Sequence, residues 1–118
     1  MASMSLLIVN DPPYGTERAY NALRLARALL EREEESVQIF LIGDGASNAK
    51  RGQKVPHGYY KVETMLEAVL ARGGQVGVCS SCMDARGMED AELVDGCHRS
   101  SMSELAEWTA NATRVLTF

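Results

Sequence analysis

Two cysteines, Cys79 and Cys82, stand in the run Gly77-Val78-Cys79-Ser80-Ser81-Cys82-Met83-Asp84-Ala85-Arg86-Gly87. They join the end of a strand-like segment to the start of a helix-like one. Such a junction favours thiolates. Backbone N–H groups left unpaired at a helix start, together with the helix dipole, stabilise charged sulfur and draw a cysteine pKa below its free value of roughly 8.5. Arg86, one helical turn beyond Cys82, would add positive charge if it folds back over the pair. The residue types at this spacing therefore read as sulfur chemistry.

A Cys-x-x-Cys pair supports three chemistries: reversible disulfide exchange, half of a zinc site, or a sulfur-carrying thiolate with a neighbour that resolves it. Two buried, inert thiols are the fourth reading. A thioredoxin-like oxidoreductase would be expected to set a cis-proline opposite the pair, and the prolines here are Pro12, Pro13 and Pro56. Zinc needs two further ligands, for which Cys97 and His98 are the candidates, although adjacent residues rarely direct both side chains at one tetrahedral ion. Cys97 by itself reads as a small buried residue.

The elements that must position the pair follow from hydrophobic periodicity. Ser5 to Asn10 is an apolar run closed by Asp11-Pro12-Pro13-Tyr14-Gly15 and reads as a buried first strand. Thr16 is the expected cap of the next helix, whose face is Ala19, Ala22, Leu23, Ala26, Leu29 and Leu30 and whose solvated end is the Glu31–Glu35 charge run. Val37 to Ile42 is a second buried strand, and Asp44 to about Tyr59 a long loop at its carboxyl end. Val62, Met65, Leu66, Val69 and Leu70 trace one helical face before Gly73-Gly74, and Gln75 to Cys79 forms the third strand. Glu92 to Cys97 is a candidate fourth strand. Ser101 and Glu104 have capping-box spacing before a last helix striped by Leu105, Trp108 and Ala112, and Arg114 to Phe118 closes the chain as a strand.

Alternation of strand and helix predicts a parallel sheet covered on both faces, with the cysteines at a strand's carboxyl end, the edge where open α/β sheets bind ligands. Tyr14, Lys50 and His57 fall on loops at that same edge and are candidates for pocket lining. The Asp-Pro-Pro-Tyr string resembles an amino-methyltransferase motif, but no glycine-rich cofactor strand precedes it and a rigid strand-to-helix turn accounts for it. Asp11 and Asp44 follow strands as a phospho-receiver's acidic residues do, yet the lysine expected after the last strand is missing, so both read as polar turn residues.

The 118 residues, 46% hydrophobic, fit one domain spanning 1–118. A net charge of −4 without a basic face argues against a nucleic-acid partner. No stretch approaches the roughly 18 apolar residues of a membrane span, and the absence of an opening signal-like segment leads to a cytoplasmic expectation with reduced thiols. No resident cofactor or metal is called for.

Taken together, the opening LLIVNDPPYGTERAYNALRLA, the middle FLIGDGASNAKRGQKVPHGYYKVETMLEAVLARGG, the segment VGVCSSCMDARGM and the ending SMSELAEWTANATRVLTF resemble the DsrE/DsrF-like family over nearly the whole chain. The most specific elements are a cysteine closing the third strand with Arg-Gly seven and eight positions later, the Asn-Asp-x-Pro-Tyr-Gly turn and the Leu-Ala-x-Trp helix before a terminal strand. The resemblance implies a three-layer α/β/α sandwich with a mostly parallel five-stranded sheet, homo-trimers or hexamers, and intracellular sulfur trafficking. In sulfur-relay members the cysteine after strand three carries sulfur as a persulfide, exchanged with donor and acceptor proteins or small sulfane-sulfur compounds. Cys79 occupies that position, and Cys82 would be the resolving or second thiol. Ser80-Ser81-Cys82 stands where those members carry small apolar residues, and in this the chain looks more like a Cys-x-x-Cys subgroup of the family. A non-catalytic redox-sensing or binding module and a small dithiol oxidoreductase are the alternatives.

Overall fold

The computed structural model describes residues 2–118; Met1, the first residue of the expected 1–118 domain, lies outside the described residues. Among the described residues five strands form one sheet: β1 (Ser3–Val9), β2 (Glu35–Leu41), β3 (Gln75–Cys79), β4 (Cys97–Ser100) and β5 (Arg114–Thr117). Their order is β4-β3-β2-β1-β5, and every neighbouring pair is parallel. Among the described residues four α-helices intervene: α1 (Arg18–Leu30), α2 (Val62–Ala71), α3 (Ser80–Ala85) and α4 (Met102–Asn111).

Because successive strand residues point to opposite faces, the sheet divides its apolar residues between two cores. Leu7, Val9, Ile39, Leu41, Val76 and Val78 face α1 and α2, meeting Ala19, Ala22, Leu23, Leu66 and Val69. The alanines at helical spacing on α1 leave room for a close helix–sheet approach. Leu6, Phe40 and Cys79 face the other way, onto Leu105 and Trp108 of α4. Phe40 is fully buried and meets Trp108 edge-on, with ring centroids 6.3 Å apart, burial worth about 2–3 kcal/mol with about 1 kcal/mol more for the ring pair. Gly77 makes that layer possible: a Cβ there would press on Ser100 and the Trp108 ring at 3.1–3.3 Å. The result is the α/β/α sandwich expected from the sequence.

Several local expectations change. Glu17, not Thr16, occupies the cap position of α1 and makes no side-chain bond there; the Thr16 hydroxyl, one residue earlier, accepts the Arg18 N–H at 3.4 Å and donates to Asp11 at 2.6 Å. The Glu31–Glu35 run is a solvated helix end only in its first part: Glu31 caps α1, which stops at Leu30, while Glu35 already opens β2, where it accepts from Arg114 at 2.8 Å. The loop after β2 begins as a 3-10 helix, Gly43–Ala49, whose small residues tuck under the end of β1. Gly45 is indispensable to that fit, since a Cβ would collide with the Val9 carbonyl. The fourth strand lies later than Glu92–Cys97, as Asp90–Glu92 is a 3-10 turn and Gly96, at φ 99°, turns the chain into β4. Half of the capping box forms: Ser101 accepts the Glu104 N–H at 3.2 Å, while the Glu104 carboxylate turns to Ser100 and His98.

Candidate functional site

Cys79 ends β3 and is also the cap residue of α3, so the direction change from strand to helix falls on the cysteine itself. Its Sγ accepts the Cys82 backbone N–H at 3.4 Å and lies 3.5 Å from the Ser81 hydroxyl. The pair is joined as a disulfide with Cα atoms 5.2 Å apart. A second strand end supplies another donor: the Gly43 N–H, just past β2, points at Cys82 Sγ at 3.1 Å. Each sulfur therefore already faces a backbone N–H, the type of donor that stabilises a thiolate once the bond is opened.

Three contacts fix α3 in place. Met83 is fully buried against the α1/α2 core, at 0% exposure. Arg86 donates to the Cys82 carbonyl at 3.1 Å and to Asp44 at 2.6 Å, so it ties the end of α3 to the loop that carries Gly43. Arg99 reaches across from β4 and donates to the Ser80 hydroxyl at 2.7 Å, to Asp84 at 3.1 Å and to Asp90 at 2.5 Å. The hydrogen bonds to Asp90 and then Asp84 hold the Arg99 pKa above its ordinary value.

The structure thus brings Cys79, Cys82 and Arg86 together, with the Arg86 charge paired to Asp44 rather than laid over the sulfurs. The other sequence candidates have different partners. The Tyr14 hydroxyl accepts the Val62 N–H at 3.1 Å, and its ring packs with Tyr59 and Tyr60 at 5.7 and 5.5 Å. Lys50 pairs with Glu92 at 3.0 Å. His57 is exposed in the turn before Tyr59. Among the described residues no hydrogen bond links these three to either cysteine.

Cys97 is a half-buried free thiol whose pKa burial pushes up to about 12, which suits a packing role. Its neighbour His98 bonds Glu104 through Nε2 and lies edge-on to Trp108. Burial raises the Glu104 pKa, but the hydrogen bonds from Ser100 and His98 outweigh it and leave the carboxyl below its ordinary value. Among the described residues no three His, Cys, Asp or Glu side chains are placed to hold a metal ion. Sequence reasoning missed Gly43 and Arg99, and took Asp44 only as a turn residue. The position of Asp44 directly after a strand was the available signal; Arg99 carried none until β4 was placed beside β3.

A parallel five-stranded α/β/α domain with a Cys-x-x-Cys pair closing its third strand defines a small dithiol protein of the open-sheet class. The DsrE/DsrF-like family model matches residues 4–118, and the chain belongs to that family. Protein YchN of Escherichia coli (strain K12) is 40% identical over 114 residues, covering 96% of this chain and 97% of that protein. The crystal structure of the E. coli ychN protein superposes with a TM-score of 0.92 at 39% identity and covers both chains in full. At greater distance, a Vibrio vulnificus (strain CMCP6) protein named sulfurtransferase TusD homolog is 28% identical, covering 95% of each chain.

Proposed function

We propose that this chain is a sulfur-relay protein that carries sulfane sulfur as a persulfide on Cys79, with Cys82 as the resolving thiol. The observation that carries the reading is the environment of Cys79, at the end of β3 with the Cys82 N–H on its sulfur and a second thiol within bonding reach. Family membership and the likeness to a protein named as a sulfurtransferase support sulfur as the transferred group.

In loading, the Cys79 thiolate attacks the sulfane sulfur of a donor and the donor's remaining group leaves as its anion. In delivery, a partner thiolate attacks the outer sulfur of the Cys79 persulfide, takes that sulfur and releases Cys79 as thiolate. If no partner arrives, Cys82 attacks the inner sulfur, hydrosulfide leaves and the Cys79–Cys82 disulfide forms. Burial of Cys79, at 7% exposure, shields the persulfide from bulk thiols. The partners are donor and acceptor proteins bearing cysteines, or small sulfane-sulfur compounds, and the chain works as a homo-oligomer. Among the described residues no helix is long and apolar enough to cross a membrane.

Intact mass of the reduced protein after incubation with a persulfide or thiosulfate donor tests the reading. A gain of one sulfur atom, mapped to Cys79 and absent in Cys79→Ser, is the expected result. Loss of two hydrogens with no sulfur gained would replace it by a dithiol oxidoreductase.

A further inference from the structure

The two sulfurs of the pair are not equivalent. Cys79 is 7% exposed and packs with Leu6, Phe40, Leu105 and Trp108 on the α4 side of the sheet. Cys82, on the first turn of α3, is half-buried and touches both cores only at their margin. The hydrogen bonds differ too. Cys79 Sγ has two neighbours able to hold negative charge, the Cys82 N–H and the Ser81 hydroxyl, while Cys82 Sγ has the Gly43 N–H.

Thiol–disulfide exchange is decided by which sulfur an incoming thiolate can reach and by how well the departing thiolate is stabilised. Both factors select the same sulfur here. Cys79 is packed among the side chains of the α4 core, whereas Cys82 is the more exposed residue of the two. Departure of Cys79 leaves its charge facing two donors already in place.

We infer that the oxidised pair is reopened by an external thiol that attacks Cys82 and expels Cys79, so that the second cysteine of the motif, not the first, is its exchange sulfur. The bond formed is between the thiol's sulfur and Cys82 Sγ, and the bond broken is Cys79–Cys82. A second thiolate then attacks the external sulfur of the mixed disulfide and releases Cys82. Two thiols are oxidised to one disulfide, the protein disulfide is reduced by two electrons, and the two protons lost by the thiols are taken up at Cys79 and Cys82. This step rests on reading the pair as the working site of the sulfur carrier, and it returns Cys79 to the reduced form whose thiolate loading requires.

The full-length oxidised protein is mixed with reduced glutathione, quenched with acid, alkylated with N-ethylmaleimide and digested, and tandem mass spectrometry places each group within the peptide that holds both cysteines. Glutathione on Cys82 with N-ethylmaleimide on Cys79 is the expected result. Glutathione on Cys79, equal labelling, or no exchange would overturn the inference. As a second reading, the reduced Cys79→Ser variant, which keeps Cys82, is expected to take up glutathione from glutathione disulfide at least about tenfold faster than Cys82→Ser; equal or reversed rates would also overturn it. No sulfane sulfur enters either assay. A chain that forms the Cys82 adduct yet never gains sulfur from a donor keeps this inference and loses the carrier reading.

Discussion

Arg99 of β4 donates to the hydroxyl of Ser80, the residue that separates the two cysteines on one side of the motif, at 2.7 Å. The same guanidinium reaches the Ser80 carbonyl at 3.3 Å, so one side chain from the neighbouring strand grips both ends of that residue. Planar, forked donors suit such multiple contacts and an ammonium does not. Arg99→Ala is therefore expected to leave the sheet intact and slow sulfur loading of Cys79 by about tenfold through misplacement of α3. Arg99→Lys should recover part of the rate. Time-resolved intact mass reads both, and a wild-type rate in Arg99→Ala would show that β4 does not position the pair.

Met83 supplies the apolar anchor of the same short helix. Its side chain is fully buried beside residues from α1, α2 and the sheet. A six-residue helix cannot hold itself together in water, so its fold depends on this contact and on the two arginines. Met83→Ala should cost about 3 kcal/mol in urea unfolding. The near-isosteric Met83→Leu should cost less than about 1.5 kcal/mol. A loss of that smaller size in the alanine variant would mean that α3 is secured elsewhere.

What the sequence disclosed and what it concealed divide along a physical line. The run Gln75 to Cys79 has its glycine stop on one side and its helix start on the other, and the strand lies where periodicity put it. The Leu105 and Trp108 stripe likewise finds its core. These are local signals, carried by residues within a turn or two of one another. The Glu104 carboxylate shows the limit: its spacing from Ser101 satisfies a capping box, but once β4 lies beside α4, Ser100 and His98 offer better partners. The 3-10 turn at Gly43–Ala49 was unreadable for the same reason, because Gly45 is required by the Val9 carbonyl, on a strand far away in the chain. The cysteine pair was legible by type and spacing. Its clamps, Arg99 and Asp44, depend on which strands become neighbours and which loops meet.

Gly45 offers a direct check on that long-range fit. A Cβ at this position would also stand 2.9 Å from the Val9 carbonyl carbon, and backbone cannot swing aside as a side chain can. Gly45→Ala should destabilise the protein by about 3 kcal/mol, at the upper end of overpacking costs. It should also disturb Gly43, two residues earlier, and with it the donor to Cys82. Chemical denaturation measures the first effect and glutathione exchange the second. Full stability in the alanine variant would contradict the close approach.

Cys97 provides a prediction in the alkaline range. Burial raises its pKa from the ordinary 9.0 to about 12. A thiol whose folded pKa lies above its unfolded value adds stability that is fully present below the unfolded value and is lost as pH rises toward the folded one. Stability should therefore fall between 9.0 and about 12, and Cys97→Ala should flatten that part of the fall. In the native state Cys97 should resist iodoacetamide at pH values where an unfolded cysteine reacts freely. Rapid native labelling, mapped to Cys97, would show that the thiol is accessible and ionised, and would return it to the group of reactive cysteines.

Glu104 provides the matching prediction in acid, with the opposite sign. Burial raises its pKa, but the hydrogen bonds from Ser100 and His98 prevail and hold it below the ordinary 4.5. The carboxylate's contribution is thus present above the unfolded pKa and is lost as pH falls through the folded one. Glu104→Gln should cost about 1 kcal/mol at neutral pH, the size of a modest hydrogen-bond loss at a half-exposed site. Below 4.5 the wild type should lose stability toward the variant, so the two curves converge. Because Ser100 lies opposite Cys79 in the β3–β4 register, the same variant tests whether this network supports the sulfur site. Denaturation curves across the acid range, with glutathione exchange measured on the same samples, separate the two effects. Curves that stay parallel into acid would remove the carboxylate from the account of stability, and unchanged exchange would confine the network to packing beneath α4.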